Sequence, residues 1–288
     1  MTVEEKKVWF ITGCSTGFGR ELAKMLLENG YRVAVTARDI EKVRDLVEIN
    51  KDNAIALALD VTDKAQVAQA VADAEDFFGR IDVLVNNAGF GYFGSIEESE
   101  EPEVRAMFEA NFWGLSNMTR AVLPRMRERR SGAIVNISSI GGFNGNPSVA
   151  YYNATKFAVN GFSDALRKEV EPLGIKVLLV MPSGFRTDWA GRSANNAPAN
   201  IADYAETAGK FKETIRGYSG KQPGDPVRAA RAIIEAVERR DSPFNLLLGK
   251  AALQGARLKL ELLQKDFDAN AEISESADFP EAETAQGK

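Results

Sequence analysis

Short runs of apolar, often β-branched residues alternate with stretches of helical periodicity along most of the chain. The strand-like runs cover 8–12, 32–37, 54–59, 81–85, 133–137, 176–181 and 244–248. Apolar residues recur at helical spacing over 17–30, 64–78, 101–129, 151–171 and 226–239. Strands that alternate with helices form parallel sheets with both faces covered. The pattern therefore predicts one doubly wound α/β domain, a seven-stranded parallel sheet with helices on both faces.

Two regions depart from this alternation. Residues 183–225 are rich in Gly, Pro, Asn and Ser and show weak periodicity. A long irregular segment inside a domain usually serves as a lid or a binding loop, so we expect 183–225 to cover a substrate. A closing helix over 250–265 completes a domain spanning 1–265, and an acidic tail follows over 266–288.

The charge of the chain is unevenly placed. Its 36 basic and 41 acidic residues give a formal net charge of -5, and 266–287 hold seven of the acidic residues and none of the basic ones. The rest of the chain is nearly neutral, which disfavours nucleic acid as a partner because binding to phosphates requires a basic surplus. The tail is typical of solvated polypeptide, although Phe267, Ile273 and Phe279 leave a docking role open.

Composition limits both the location and the chemistry of the protein. The chain is 44% hydrophobic and 27% charged, as expected of a soluble globular protein. No apolar run reaches the roughly 18 residues of a membrane span, and the start MTVEEKKVWF is acidic where a signal peptide is basic. We therefore expect a cytoplasmic protein with no membrane span. Because the chain has no histidine and one cysteine, Cys14, we expect no disulfide and no metal site.

A glycine-rich loop, Thr12-Gly-Cys-Ser-Thr-Gly-Phe-Gly19, joins the first strand to its helix. Glycines let a phosphate approach the backbone, and the helix N-terminus offers free N–H groups and a positive dipole end. In isolation such glycines could serve only a tight turn, but the strand before them and the helix after them favour a dinucleotide site. The expected contacts are Gly13, Ser15, Thr16, Phe18 and Gly19.

The end of the second strand distinguishes NAD from NADP. A carboxylate there binds the ribose hydroxyls of NAD, whereas a cation accepts the additional phosphate of NADP. Asp39 lies about 20 residues past the loop, which favours NAD by spacing. Ala37, however, ends the predicted strand without repelling a phosphate, and Arg38 follows it. We therefore predict NADP, with NAD as the alternative, and interpret Asp39 as a helix N-cap ahead of Glu41.

Tyr152 and Lys156 are four residues apart at the start of a predicted helix. This spacing puts a phenol and an ammonium on one face about a turn apart, whereas Tyr151 is turned away. A neighbouring cation stabilises phenolate and so lowers the pKa of a tyrosine. The pair is thus a candidate acid and base, although the same spacing also occurs by chance on helices.

These motifs occur together in a fixed order. The glycine loop, Asp60, Asn86-Asn87-Ala88-Gly89, Asn111, Ser139 and the pair Tyr152 and Lys156 closely resemble the short-chain dehydrogenase/reductase family. The resemblance spans about residues 7–250, and the glycine loop and closing helix are similar to the branch with 17β-hydroxysteroid and retinol dehydrogenases. It implies a Rossmann-type fold and reversible hydride transfer between a nicotinamide and a carbon that carries a hydroxyl or oxo oxygen.

The resemblance also implies a role for each candidate catalytic residue. Tyr152 would protonate a carbonyl oxygen or take the proton of an alcohol, and Lys156 would lower its pKa and bind the nicotinamide ribose. Ser139, which the family spacing favours over Ser138, would stabilise charge on the reacting oxygen. Asn111 would kink its helix and hold a water that links Lys156 to solvent, or else its amide satisfies local backbone.

Further cofactor contacts follow from the same resemblance. The implied residues are Asp60, Val61, Asn87, Ala88, Gly89, Pro182, Phe185 and Thr187, besides Tyr152 and Lys156. Asp60 would receive the adenine amino group, although it could instead cap the following helix. Ser183 stands where the family usually has a glycine, which leaves the shape of that turn open.

The expected substrate is a small hydrophobic ketone, aldehyde or secondary alcohol, because aromatic residues crowd the loops around the site. These are Phe90, Tyr92, Phe93, Phe143, Trp189, Tyr204 and Phe211. Family members usually pair through the helices that carry Asn111 and Tyr152, which implies a homodimer or homotetramer. The alternative is a regulatory protein that senses a dinucleotide without turnover. In such a protein we expect the catalytic Ser, Tyr or Lys to be replaced, and all three are present here. An epimerase of the extended relatives would have a different glycine spacing.

Overall fold

The structure, a computed structural model, describes residues 6–191 and 194–279. The strands in these ranges are β1 (Val8–Ile11), β2 (Arg32–Ala37), β3 (Ala54–Ala58), β4 (Val83–Asn86), β5 (Gly91–Phe93), β6 (Gly132–Ile137), β7 (Ile175–Pro182), β8 (Ala194–Asn196) and β9 (Asn245–Leu248). The α-helices are α1 (Gly17–Glu28), α2 (Arg44–Val47), α3 (Lys64–Phe78), α4 (Glu101–Phe108), α5 (Leu115–Arg129), α6 (Ala150–Val170), α7 (Lys210–Gly217), α8 (Pro226–Glu238), α9 (Lys250–Ala269) and α10 (Ala271–Glu275). Short 3-10 helices cover Ile40–Val43, Lys51–Asn53, Ile140–Gly142, Glu171–Leu173, Asp188–Ala190 and Ala202–Tyr204.

Seven strands form one parallel sheet in the order β3-β2-β1-β4-β6-β7-β9. The predicted fold is thereby confirmed, with strand ends that differ by one or two residues. The fourth strand, predicted over 81–85, is Val83–Asn86. The chain runs outward from β1 in both directions, so that the order of the strands reverses between β1 and β4. Ligands of open α/β sheets bind beyond the carboxyl ends of the strands at such a reversal.

Alternate residues of the central strand point to opposite faces of the sheet. Trp9 and Ile11 pack with the buried residues of α1 and α8, whereas Val8 and Phe10 pack with those of α3, α5 and α6. All four are fully buried. The continuous apolar run of β1 is therefore explained by helices on both faces, and this rigid layer holds the loops at the strand ends in place.

The helix predicted over 101–129 is interrupted. A π-helical turn, Glu109–Gly114, separates α4 from α5, and such turns are frequent at functional sites. Asn111 lies in this turn, where the family resemblance implies a kink.

The segment 183–225 is more regular than predicted. β8 pairs in parallel with β5, a π-helical turn covers Ala205–Gly209, and α7 follows it. Weak overall periodicity conceals these short elements because each spans at most eight residues.

The closing helix extends beyond its predicted end at 265. α9 continues to Ala269 and α10 follows, so the acidic residues Asp266 and Asp268 lie on a helix. The closing helix therefore ends later than predicted, because acidic residues in themselves do not end a helix. Residues 280–288 of the tail lie outside the described residues. No helix in the described ranges combines the length and the apolar character required to traverse a bilayer.

Candidate active site

A cleft of about 1390 Å³ opens at the carboxyl ends of the parallel strands. The predicted site residues that line it are Gly13, Ser15, Thr16, Phe18, Arg38, Asp60, Val61, Asn87, Ala88, Gly89, Ser139, Tyr152, Lys156, Pro182, Phe185 and Thr187. Gly19 and Asn111 are buried behind the wall of the cleft and support it. The structure therefore brings the sequence-predicted residues together at the point where the strand order reverses.

The glycine loop is fixed to the end of β4 by hydrogen bonds. The Thr12 hydroxyl accepts from the backbone N–H groups of Asn87 at 2.9 Å and Ala88 at 3.0 Å. The Asn87 side chain donates to the carbonyls of Thr12 and Gly13, each at 2.9 Å. A Cβ on Gly19 would lie 2.5 Å from both the Asn87 amide nitrogen and the Gly13 carbonyl oxygen. Gly19 thus permits close packing of helix against loop.

The N-terminus of α1 faces this loop without a cap. The side chain of the N-cap residue, Thr16, makes no capping hydrogen bond, and the first turn contains no acidic residue. Its N–H groups and positive dipole end are therefore available to an anion. This arrangement fits the pyrophosphate of a dinucleotide, which would rest against Ser15, Thr16 and Phe18.

Two cations and no carboxylate border the cleft beyond the end of β2. Ala37, Arg38 and Lys42 line it. Asp39 does not, because its carboxylate accepts from the Glu41 N–H at 3.2 Å and caps the 3-10 helix. The predicted capping role of Asp39 is confirmed. Within the described chain, Arg38 is exposed and makes no hydrogen bond or ion pair.

Asp60 lines the cleft after β3 and is not a helix cap. Its Oδ1 accepts from the N–H of Thr62 at 2.9 Å and from its hydroxyl at 2.7 Å. Asp63 caps α3 instead and accepts from the Ala65 N–H at 2.8 Å. Val61 follows Asp60 on the same wall.

Tyr152, Lys156 and Ser139 converge in the wall of the cleft. Lys156 Nζ lies 5.7 Å from the centroid of the Tyr152 ring and donates to the Ile137 carbonyl at 2.9 Å. The Ser139 hydroxyl is hydrogen-bonded to the Tyr152 side chain and also accepts from the Gly141 N–H at 3.0 Å. Tyr152 and Lys156 are only 8% and 7% exposed.

The neighbouring serine has a different role. The Ser138 hydroxyl donates to the Asn160 side chain at 2.5 Å, away from Tyr152. Adjacent residues of an extended chain point in opposite directions. Ser139, and not Ser138, is therefore the hydroxyl that contacts Tyr152.

The pKa values of the pair are set by burial. Burial raises the pKa of Tyr152 to about 12, although the hydrogen bond with Ser139 opposes this shift. Burial also lowers the pKa of Lys156 to about 8. The expected lowering of the Tyr152 pKa by Lys156 is not found, because desolvation is the largest influence on this pKa and raises it. Tyr152 consequently holds its proton at neutral pH, as a donor to a carbonyl must.

Asn111 connects the wall of the cleft to α6. Its amide oxygen accepts from the Phe90 N–H at 2.9 Å, and its amide nitrogen donates to the Phe90 carbonyl at 2.9 Å and to the Thr155 hydroxyl at 3.2 Å. A Cβ on Gly89 would lie 2.7 Å from the amide oxygen. The side chain thus satisfies local backbone, and its part in a water relay stays a prediction.

The turn after β7 is held despite the serine that replaces a glycine. The N–H of Ser183 donates to the Leu248 carbonyl at 3.0 Å. Pro182, Phe185 and Thr187 line the cleft on either side of it. The Thr187 hydroxyl caps the short helix Asp188–Ala190 by accepting from the Trp189 N–H at 3.4 Å.

The aromatic residues predicted around the substrate divide into two groups. Phe90, Phe93, Trp189 and Phe211 line the cleft, together with Val149, Ile215 and Tyr218. Tyr92, Phe143 and Tyr204 do not. The Tyr92 hydroxyl is buried and accepts from the Glu100 N–H at 3.0 Å, and the Tyr204 hydroxyl donates to Glu97 at 2.8 Å.

Sequence reasoning missed Gln222, which lines the cleft beside Gly184. Gln222 is 5% exposed, and its side-chain oxygen accepts no hydrogen bond within the described chain. Its backbone carbonyl accepts from Arg186 Nε at 2.7 Å, which holds the residue in place. No periodicity or motif in the irregular segment indicates this residue, because its position depends on how the segment folds back.

The chain is similar in sequence to known oxidoreductases. A family model described as short chain dehydrogenase matches residues 7–198. Oxidoreductase BOA17 of Botryotinia fuckeliana is 39% identical over 269 residues, which cover 93% of this chain and 98% of that protein. A 3-ketodihydrosphingosine reductase of Bacteroides thetaiotaomicron is 40% identical over 252 residues, which cover 85% and 88% of the two chains.

Solved structures show the same fold. A short-chain dehydrogenase from Streptomyces avermitilis has a TM-score of 0.88 at 40% identity, over 94% of this chain and 100% of that one. A short chain dehydrogenase/reductase from Burkholderia phymatum, in complex with NAD, has a TM-score of 0.80 at 26% identity, over 92% and 97%. ElxO with NADP bound has a TM-score of 0.71 at 29% identity, over 86% and 99%. A nicotinamide dinucleotide is common to the last two.

Proposed function

Because the chain belongs to the short-chain dehydrogenase/reductase family and is an oxidoreductase that uses a nicotinamide cofactor, we propose that its reaction is hydride transfer between NADP(H) and a hydrophobic ketone, aldehyde or secondary alcohol, with Tyr152 as general acid or base. One observation carries the proposal. Tyr152, Ser139 and Lys156 converge on the same cleft that the uncapped N-terminus of α1 faces.

Each side chain has a different proposed role at the reacting oxygen. When bound, the nicotinamide supplies or accepts the hydride. Tyr152 donates its proton to the carbonyl oxygen during reduction and accepts one from the alcohol during oxidation. Ser139 donates a hydrogen bond to the same oxygen and stabilises its developing charge. Lys156 favours phenolate when Tyr152 has released its proton, and Asn111 fixes the Phe90 backbone and α6 around them.

The preference for NADP is supported by the charges near β2. Arg38 and Lys42 face the cleft, whereas the carboxylate of Asp39 is used in capping. A 2′-phosphate at this position would meet the Arg38 guanidinium and the ammonium of Lys42, which lies 3.9 Å from the Asp39 carboxylate. The Arg38 guanidinium, which has no partner among the described residues, can bind a phosphate with two parallel hydrogen bonds.

Replacing Arg38 by alanine is expected to raise the Kd for NADPH about 10- to 100-fold, because a hydrogen bond to a charged group contributes roughly 1.5–3 kcal/mol. The Kd for NADH should change less than about twofold. Fluorescence titration with both cofactors measures this difference. The control is Arg44→Ala, since Arg44 pairs with Glu41 at 2.8 Å and does not line the cleft. Equal losses for the two cofactors would contradict the preference for NADP.

The proposal of a hydrophobic substrate rests on the wall near Tyr152. The Trp189 ring lies 4.8 Å from the Tyr152 ring, and Phe93 lies 5.6 Å from Trp189. Phe211 and Ile215 of α7 complete this wall. Such surfaces bind apolar groups by excluding water from them. One relative is named as the reductase of a ketone, which supports a carbonyl as the reacting group.

Nicotinamide absorbance with a panel of ketones, aldehydes and secondary alcohols tests the function directly. We expect turnover with apolar ketones and faster reaction with NADPH than with NADH. Failure of the whole panel with both cofactors, while NADPH still binds, would favour a sensing protein on the same fold.

We also propose that the protein is a homo-oligomer. Trp113 of the π-helical turn and Phe157 of α6 are 50% and 46% exposed. Both lie on the helices that carry Asn111 and Tyr152, which supports pairing through this face.

A further inference from the structure

Helix α9 has an apolar stripe that the rest of the described chain leaves exposed. Only Ala252 and Ala256 of this 20-residue helix are buried. Leu253, Leu260 and Phe267 are 42%, 57% and 63% exposed. They recur every seven residues, and two helical turns nearly equal this spacing, so the three side chains form one stripe.

The charges along α9 and α10 are separated by sign. The basic residues come first, at Lys250, Arg257, Lys259 and Lys265, with a single acidic residue, Glu261, among them. The acidic residues follow, at Asp266, Asp268, Glu272 and Glu275. Within the described chain none of these charges forms an ion pair. Cations near the N-terminus of a helix and anions near its C-terminus oppose the helix dipole, so this arrangement does not stabilise the helix by itself.

We propose that α9 pairs antiparallel with α9 of a second copy of this chain. A two-fold axis at Leu260 places Leu253 opposite the partner's Phe267 and brings Leu260 against its own equivalent. The basic half of each helix then lies beside the acidic half of the other. A parallel pair would instead place like charges together, which the charge pattern disfavours.

The charge pattern also favours a second copy of the chain over a lipid surface as the partner of α9. The acidic half of the helix would be repelled by anionic headgroups, whereas a second copy satisfies both halves at once. The pairing is independent of the proposed function, because no residue of the stripe lines the cleft.

Disulfide cross-linking tests the pairing with little background. The sole cysteine, Cys14, is fully buried, and burial raises its pKa to about 12, so its thiol is unreactive. In Leu260→Cys the new thiols meet at the two-fold axis, and mild oxidation should give at least about ten times more covalent dimer on a non-reducing gel than in Leu258→Cys. Leu258 is also 57% exposed but lies on the far side of the helix, since two residues turn the helix by about 200°.

Direction is tested by mixing Leu253→Cys with Phe267→Cys. Antiparallel pairing links the two variants to each other and leaves each alone uncross-linked, whereas parallel pairing gives the reverse. Leu260→Glu should also halve the particle mass in sedimentation while turnover is unchanged.

Three results would overturn the proposal. The first is equal cross-linking of Leu260→Cys and Leu258→Cys, or cross-linking of Leu253→Cys with itself. The second is a particle mass that Leu260→Glu leaves unchanged. The third is that Leu260→Glu mainly abolishes binding to phosphatidylcholine or phosphatidylserine vesicles.

Discussion

Replacing Tyr152 by phenylalanine is expected to lower kcat by about 10²–10⁴-fold, the range that general acid catalysis contributes. The change removes one hydroxyl and keeps the ring that packs 4.8 Å from Trp189. The Kd for NADPH should therefore stay within about threefold, since the remaining cofactor contacts are untouched. Stopped-flow reduction of a ketone and fluorescence titration of NADPH separate the two quantities.

The matched control for this change is Tyr151→Phe. Tyr151 precedes Tyr152 on α6 but does not line the cleft. It should retain turnover within about twofold. Turnover in Tyr152→Phe close to that of the unaltered protein would show that another group supplies the proton.

Replacing Lys156 by methionine is expected to abolish turnover and yet to stabilise the fold. Burial lowers the pKa of Lys156 from 10.5 to about 8, which means that the folded protein disfavours the ammonium. Each pKa unit corresponds to 1.36 kcal/mol, so removing the charge at pH 7 should raise the free energy of unfolding by up to about 3 kcal/mol. Loss of the hydrogen bond to the Ile137 carbonyl reduces this gain. Urea denaturation measures the difference.

The stability difference should depend on pH in a defined window. Below about pH 8 Lys156 is protonated in both states, and the cost of burying its charge is fully present. Between about pH 8 and 10.5 the unfolded protein binds the proton and the folded protein does not. The free energy of unfolding of the wild type therefore increases relative to that of the variant as pH rises. The raised pKa of Tyr152 acts only above pH 10 and affects both proteins alike.

Lys168→Met serves as the control for the lysine. Lys168 lies on the same helix but pairs with Asp164 at 2.8 Å in solvent. An exposed pair contributes little, so its replacement should change stability by less than about 1 kcal/mol and leave turnover intact. A destabilised Lys156→Met protein would contradict the effect given to burial, and retained turnover would contradict the role proposed for Lys156.

The sheet and most of the site were predictable from the sequence because both follow from local pattern. The apolar run of β1 and the glycines after it occupy positions that strand and turn geometry dictate. The resemblance to the short-chain dehydrogenase/reductase family placed Asp60, Asn87 and Ser139 in one site, and the fold explains this placement because parallel strands end at one edge of the sheet.

What the sequence could not provide depends on burial and on distant contacts. Spacing predicts that Lys156 lies near Tyr152, but it does not measure desolvation, which reverses the expected pKa shift. Gln222 reaches the cleft only because the segment before α8 folds back against Gly184. Similarly, the sequence predicted that the closing helix ends at 265, whereas α9 continues to Ala269 with its acidic side chains exposed.

The most direct test of the account follows one deuterium atom. The protein is incubated with NADPH deuterated at the transferable position of the nicotinamide and with apolar ketones, and the alcohol formed is examined by mass spectrometry. The account predicts alcohol with one deuterium on the carbinol carbon, formed about 10²–10⁴-fold more slowly by Tyr152→Phe than by the unaltered protein. Unlabelled alcohol, or labelled alcohol that both proteins form at the same rate, would contradict it.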